Sequence, residues 1–210
     1  MVEINFQKTN NIINQFRKDI TFETTIRDQN FRFDSTWGLF SPREIDKGTQ
    51  LLLNEIQVDQ YDDCLDLGCG YGPIGITLGK LAPKGQTIMV DRDYVAVDYA
   101  KINIKNNNLN NANVIMSNGF AKISDKRKFN IIASNLPAKI GNEMTSILFA
   151  DAYQYLHEDG QLVVVTLSGM RKYIQRSLLS LFGNYEKVRQ TGQHTLHRAV
   201  RHRTNAKISN

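Results

Sequence analysis

The chain has 210 residues, 41% of them hydrophobic and 22% charged, with a formal net charge of +5. That length supports one well-packed domain with an extension but not two full domains, and no apolar run approaches the roughly 18 residues of a bilayer span. Two cysteines, Cys64 and Cys69, are too few for a disulfide framework or a cysteine-rich zinc site, and residues 1–5 show no basic stretch leading into an apolar core, so a cytoplasmic location without membrane attachment is expected.

Ile12, Ile13, Phe16 and Ile20 predict a short amphipathic helix near the start of the chain. Alternation at Phe22, Thr24 and Ile26, then Phe31-Arg32-Phe33 across Asp28-Gln29-Asn30, predicts a hairpin. Trp37, Leu39 and Phe40 follow on a loop, where three large apolar side chains should cover something. Residues 43–57 read as a helix whose first turns Asp46, Lys47, Gly48 and Thr49 weaken. From Cys64 onward strands and helices alternate. Strands are predicted at Cys64–Leu67, Thr87–Val90, Val114–Met116, Phe129–Ala133 and Leu162–Leu167. Helices are predicted at 74–81, 94–107, 143–156 and 173–181, the fourth strand-to-helix pair breaking at His157-Glu158-Asp159-Gly160. Leu162–Leu167 is continuously apolar, as in a strand covered on both faces. Tyr185–Gln190 and Thr195–Val200 form a terminal pair around Thr191-Gly192-Gln193, and the Asn-rich run 106–113 reads as a helix end and turn. The sum is a doubly wound, Rossmann-like α/β fold with mostly parallel strands. The expected division is an N-terminal extension over 1–58 packed on a catalytic domain over 59–202, followed by a basic tail over 203–210.

Charge is unevenly placed. Residues 171–210 carry nine Lys or Arg and one acidic residue, whereas the rest carries 17 basic and 20 acidic residues. The asymmetry is compatible with a phosphate-rich partner, and equally with a solvated basic surface. His194, His197 and His202 have no metal-site spacing and read as surface residues, so no metal is expected.

Two motifs carry chemistry. The first is Asp66-Leu67-Gly68-Cys69-Gly70-Tyr71-Gly72-Pro73, where a strand should turn into a helix. Glycines at 68, 70 and 72 let the backbone bend sharply and approach a ligand without a Cβ in the way. A nicotinamide-binding loop has similar geometry, but Asp66 would oppose a pyrophosphate and suit an amino group instead. Asp91, ending the next strand, can accept both ribose hydroxyls; Asp93 competes for that role or caps the following helix. Asn118 can meet an adenine with its amide and Phe120 with its ring, or the pair can form an Asn-Gly turn.

The second motif is Asn135-Leu136-Pro137-Ala138 after an apolar strand. The Asn135 side-chain oxygen and the Leu136 carbonyl can accept both hydrogens of a planar amino group and turn its lone pair toward a methyl donor. Positive charge grows on that nitrogen during transfer, so acceptors aimed there favour the transition state. Pro137 stiffens the corner.

With these pieces in this order, the chain resembles the small-domain class I methyltransferases related to the ribosomal RNA guanine-N2 enzymes, over roughly Phe22 to Arg201. The matching residues include Gly38-Leu39-Phe40-Ser41, Ile45-Asp46-Lys47-Gly48-Thr49, the Gly loop, Asp91 and Asn135-Leu136-Pro137. The resemblance implies a seven-stranded sheet with its last strand antiparallel, S-adenosylmethionine as cofactor and ribosomal RNA as target. It implies cofactor contacts at Phe40, Thr49, Asp66, Gly68, Gly70, Gly72, Asp91, Asn118 and Asn135, with catalysis at Asn135, Leu136 and Pro137. Two departures stand out. Leu136 replaces a proline, leaving the carbonyl acceptor available but less rigid, and Ala138 replaces the bulky residue that stacks the base. Trp37, Phe40 or Tyr71 would have to stack it instead, with Lys139, Arg171 and Lys172 on neighbouring phosphates and a partner protein or RNA shape aiding selection. The competing expectations are a protein glutamine N-methyltransferase and a non-catalytic RNA-binding scaffold.

Overall fold

The computed structural model describes residues 13–16, 18–137 and 139–202. The expected N-terminal helix lies largely outside these residues, with only 13–16 seen as helical; Ala138 and the 203–210 tail also lie outside them.

The elements in chain order are β1 (Ile20–Ile26), β2 (Gln29–Ser35), α1 (Lys47–Glu55), β3 (Cys64–Leu67), α2 (Pro73–Leu81), β4 (Thr87–Asp91), α3 (Tyr94–Asn106) and β5 (Ala112–Met116). They continue with β6 (Phe129–Asn135), α4 (Asn142–Tyr155), β7 (Leu156–Leu167), a 3-10 turn (Ser168–Met170), α5 (Arg171–Phe182), β8 (Glu186–Gln190) and β9 (His194–Val200). β1 and β2 form the expected antiparallel hairpin. The other seven strands make one sheet in the order β5-β4-β3-β6-β7-β9-β8, parallel from β5 through β7, with β9 antiparallel to both of its neighbours. The predicted Rossmann-like sheet is therefore the observed one.

Side-chain alternation sorts the sheet into two cores. Ile131, Ala133, Val163 and Val165 face one cluster, shared with Phe33 of the hairpin and Leu52 of α1. Leu65, Leu67, Ile132, Leu162 and Val164 face the other, closed by Phe149 of α4 and Leu178 of α5. On β3 the same alternation turns Asp66 away from Leu65 and Leu67 and toward α2, where its carboxylate meets the Gly75 N–H.

Two elements differ from expectation. α1 begins at Lys47, not at 43, because Asp46 is its N-cap and accepts from the backbone of Gly48 and Thr49 at 2.9 and 3.2 Å. The residues that look like weak helix formers are thus its start signal. β7 begins at Leu156, ahead of the His157–Gly160 break. Asp159 takes a φ of +61° there, and its N–H bonds the Arg201 carbonyl at 2.7 Å, so the irregular segment still joins the β9 ladder. The order in which strands are added, not their direction, reverses at β3: the chain builds outward through β4 and β5 and then returns to the other side of β3 with β6, so the carboxyl ends of the parallel strands β3, β4 and β6 share one rim at the switch. Ligands collect at such a switch point.

Candidate active site at the carboxyl rim

Leaving β3, the Gly68 and Cys69 N–H groups both bond the Val90 carbonyl, at 2.9 and 3.0 Å, which folds the loop back over β4. Gly68, Gly70 and Gly72 have φ values of +76°, +55° and +99°. A Cβ at Gly68 or Gly70 would meet nothing within 4 Å, so both face open space that a side chain would fill. Gly72 caps α2 and Pro73 occupies its first turn, as the missing N–H of proline permits. Beside the loop, Asp91 accepts from Gly70 N and Asp93 N, each at 2.9 Å. Asp93 itself accepts from Val95 N and caps α3. Of the two competing carboxylates, Asp91 is the one turned to the loop.

Asp66 is fully buried beneath that loop. One oxygen accepts from Gly75 N at 2.7 Å, while the other is buried with no hydrogen-bond partner among the described residues. Burial is the main reason its pKa rises to about 7; the Gly75 N–H opposes the rise and the nearby Asp91 charge adds to it. An unpaired buried carboxylate oxygen below open glycine faces fits a ligand that brings a donor to this loop.

The next strand ends supply a mixed outcome. Asn118 is exposed on the turn after β5. Phe120 is not an open adenine surface: it is buried, stacked on Tyr155 with ring centroids 4.8 Å apart. Tyr71 is not available to stack a base either. Its ring lies in the core against Phe22 and Phe33, and its hydroxyl is turned to the carbonyls of Ser41 and Glu44. Trp37 is 36% exposed, with the Arg43 guanidinium 4.5 Å from its ring centroid and Phe16 against its edge. Phe40 is 72% exposed.

The corner after β6 is tightly built. The Asn135 amide nitrogen donates to both Asp46 carboxylate oxygens, at 3.1 and 3.2 Å, and to the Thr49 hydroxyl at 3.0 Å. Its amide oxygen accepts nothing from the described residues. Thr49 is buried, so its link to the site runs through Asn135. The expected looseness at Leu136 is corrected: its N–H bonds the Val165 carbonyl at 3.0 Å and its side chain is buried. A proline could not make that bond, so leucine replaces ring rigidity with one more rung of the β6–β7 ladder. Pro137 and Lys139 are exposed beyond it.

Arg171 and Lys172 open α5 on the same rim, where β7 ends; the Arg171 guanidinium also bonds the Gln190 side chain at 3.2 Å. The histidines do not form one surface group. His197 is fully buried between Thr166 and Tyr185, and burial, then the Arg171 charge, lowers its pKa to about 4. His194 is half-buried, its ring so near Gly48 that a Cβ there would lie 3.0 Å away. His202 is exposed and 3.6 Å from Asp159. Among the described residues no group of three His, Cys, Asp or Glu could hold a metal, and no helix is long and apolar enough to cross a membrane. Sequence reasoning passed over Asp46 as a site residue. Its signal was an Asp directly before Lys-Gly-Thr, a helix-cap pattern that carries no hint of a partner 89 residues away.

Comparison with known proteins bears on the family and the fold. The chain is 33% identical over 169 residues to ribosomal RNA small subunit methyltransferase C of Haemophilus influenzae, covering 79% of this chain and 50% of that one. It is 30% identical over 146 residues to YbxB of Bacillus subtilis, covering 69% of this chain and 73% of that protein. Its fold superposes with a TM-score of 0.78, at 21% identity, on the T. thermophilus 16S rRNA N2 guanine methyltransferase in complex with AdoMet and guanosine, covering 86% of this chain and 50% of that one. The chain thus spans about half the length of the rRNA methyltransferases it matches. The methyltransferase small domain model matches residues 30–198, and on that extent the chain belongs to the methyltransferase small domain family.

Proposed function

We propose that this chain transfers a methyl group from S-adenosylmethionine to an exocyclic amino group of an RNA base, with guanine N2 of ribosomal RNA as the target. One observation carries the reading: the Asn135 amide is held by its nitrogen, leaving its oxygen free at the rim next to the glycine loop's strand. The family and the rRNA relatives support the reaction class, and the name of the structural neighbour supports guanosine.

Gly68, Gly70 and Asp91 would hold the cofactor, with Asp66 beneath them as a buried acceptor. The bound cofactor supplies an electrophilic methyl on a sulfonium. The chain's part is then positional. The Asn135 oxygen and the Leu136 carbonyl accept the two hydrogens of the target amine, which draws its lone pair out of conjugation with the ring. The positive charge that grows on the target nitrogen during transfer would then fall between two fixed acceptors, the Asn135 oxygen and the Leu136 carbonyl. The product nitrogen then loses its proton to water, so no strong base is required. Phe40, the most exposed of the three candidate rings, would stack the base, and such stacking contributes about 1–3 kcal/mol.

The test is transfer of a labelled methyl group to separate ribosomal RNA, tRNA and protein fractions, followed by nucleoside mass spectrometry. N2-methylguanosine in ribosomal RNA is expected. Asn135→Ala should lower single-turnover transfer about 100-fold or more while cofactor affinity changes less than about threefold. Label on protein glutamine, or cofactor binding with no transfer to any fraction, would overturn the proposal.

A further inference from the structure

A side-chain amide is nearly symmetric in shape, so packing alone does not decide which end of Asn135 faces the target. Its two ends have opposite chemistry: the oxygen accepts from an incoming amine, whereas the NH2 group repels one. Only a partner that cannot donate can enforce the choice. Asp46 is such a partner. Its two oxygens lie 3.1 and 3.2 Å from the Asn135 nitrogen. Thr49, the third contact at 3.0 Å, can donate or accept and so does not discriminate. Asp46 is in turn immobilised as the N-cap of α1, accepting from Gly48 N and Thr49 N at the positive end of that helix. Gly48 keeps this turn tight: a Cβ there would come within 3.0 Å of the Asp46 Oδ1 and of the His194 ring.

We propose that Asp46 is the positioning residue of this site, fixing the direction of the Asn135 amide so that its oxygen points to the methyl-accepting nitrogen. The inference deepens the methyl-transfer reading and rests on it. It also gives α1, which precedes the whole seven-stranded sheet in the chain, a role in the chemistry of a loop 89 residues later.

The decisive variant is Asp46→Asn. Asparagine caps helices about as well as aspartate, so folding should be preserved. The new amide at 46 keeps its oxygen on Gly48 and Thr49 and offers its NH2 to Asn135, which favours the flipped amide. Expected are a fall in kcat of about 30-fold or more, with cofactor affinity and melting temperature close to those of the unaltered protein. Asn135→Asp alone sets a carboxylate against the Asp46 carboxylate and should also be poor. The double variant D46N/N135D swaps the pair and presents an acceptor to the target whichever way either group turns; it should exceed both single variants by at least about fivefold. A cap-only role for Asp46 gives no such reciprocal rescue. A readout free of activity is the side-chain amide signal of Asn135 in 15N spectra, identified by its loss in Asn135→Ala. It should be shifted downfield by the carboxylate in the unaltered protein and lose that shift in Asp46→Asn.

Full activity of Asp46→Asn, or a double variant no better than either single, overturns the positioning role. If the amide shift behaves as expected but the unaltered protein methylates no fraction, the amide is oriented as proposed and the methyl-transfer reading fails instead.

Discussion

Asp66 and His197 are two buried titratable side chains with opposite consequences for stability. His197 has a folded-state pKa near 4 against 6.5 unfolded, so its contribution is complete above pH 6.5 and fades as pH falls toward 4. Asp66 is raised from 3.8 to about 7, so between those values the folded state binds the extra proton. Its contribution is complete below pH 4 and is lost as pH rises to 7. In the ligand-free protein Asp66→Asn should therefore match the unaltered protein near pH 4 and become the more stable of the two by pH 7.5. Because His197 is common to both, it cancels in the difference. Urea unfolding of both proteins at pH 4.5 and 7.5 measures this, and a stability gap that does not widen with pH would contradict the burial argument. The same substitution should weaken cofactor binding, since it replaces with an NH2 group a buried carboxylate oxygen that has no donor among the described residues. Asp66 was recognisable in the sequence from the strand–glycine pattern. Its unpaired oxygen was not, because that depends on α2 arriving with a single N–H within reach.

At the scale of elements, α3 holds the hairpin in place through asparagines rather than through packing alone. Asn103 on α3 and Asn107, the helix's C-cap, stand one turn apart, and Arg32 and Asp34 stand two apart on β2, so side chains of one face meet backbone groups of one strand edge. The Asn103 oxygen accepts from Asp34 N at 2.7 Å, and its NH2 donates to the Asp34 and Tyr71 carbonyls at 2.8 and 2.9 Å. Asn107 repeats the pattern on Arg32. The two amides act as a partner strand for an otherwise open edge, and link it to the loop residue Tyr71. Asn103→Ala leaves two carbonyls and one N–H short of a partner in a buried setting, at a cost of about 2–3 kcal/mol. For a chain of this size that is a fall in melting temperature of roughly 4–12 °C. A change below about 1 °C in differential scanning calorimetry would show that the hairpin is held by its aromatic core instead. The Asn-rich stretch was legible as a helix end and turn. Its service to two other elements was not, because asparagine carries the same turn preference whether or not a strand lies beside it.

Across the whole molecule, three arginines of the C-terminal charge excess are engaged within the fold. Arg189 pairs with Glu55, Arg198 with Glu186, and Arg201 bonds backbone carbonyls of Gln154 and Leu156. What faces the rim is a smaller set: Lys139, Arg171 and Lys172. Phosphate contact by about three cations predicts a salt slope near −2 for a single-stranded target. Affinity for the methylated RNA should thus fall roughly 15-fold between 50 and 200 mM salt, and a Lys139→Ala, Lys172→Ala double variant should flatten the slope by about 1.4. A slope near zero in fluorescence titrations would remove these residues from RNA binding. The charge tally along the sequence could not see which arginines pair with acidic side chains or backbone carbonyls, because those partners lie in other elements.

By itself the sequence determined the period-2 and period-3.6 patterns, the glycine loop and the Asn135 corner, and with them the succession of elements along the chain and the family resemblance. These are local properties: alternation, backbone freedom and turn chemistry act over a few residues. Tertiary structure alone decided that Tyr71 and Phe120 are core residues, that Leu136 is held by Val165, and that Asp46 meets Asn135. Each of those is a contact between segments distant in the chain, set by how the helices close over the sheet, and no short-range propensity encodes which of two such partners a side chain will find.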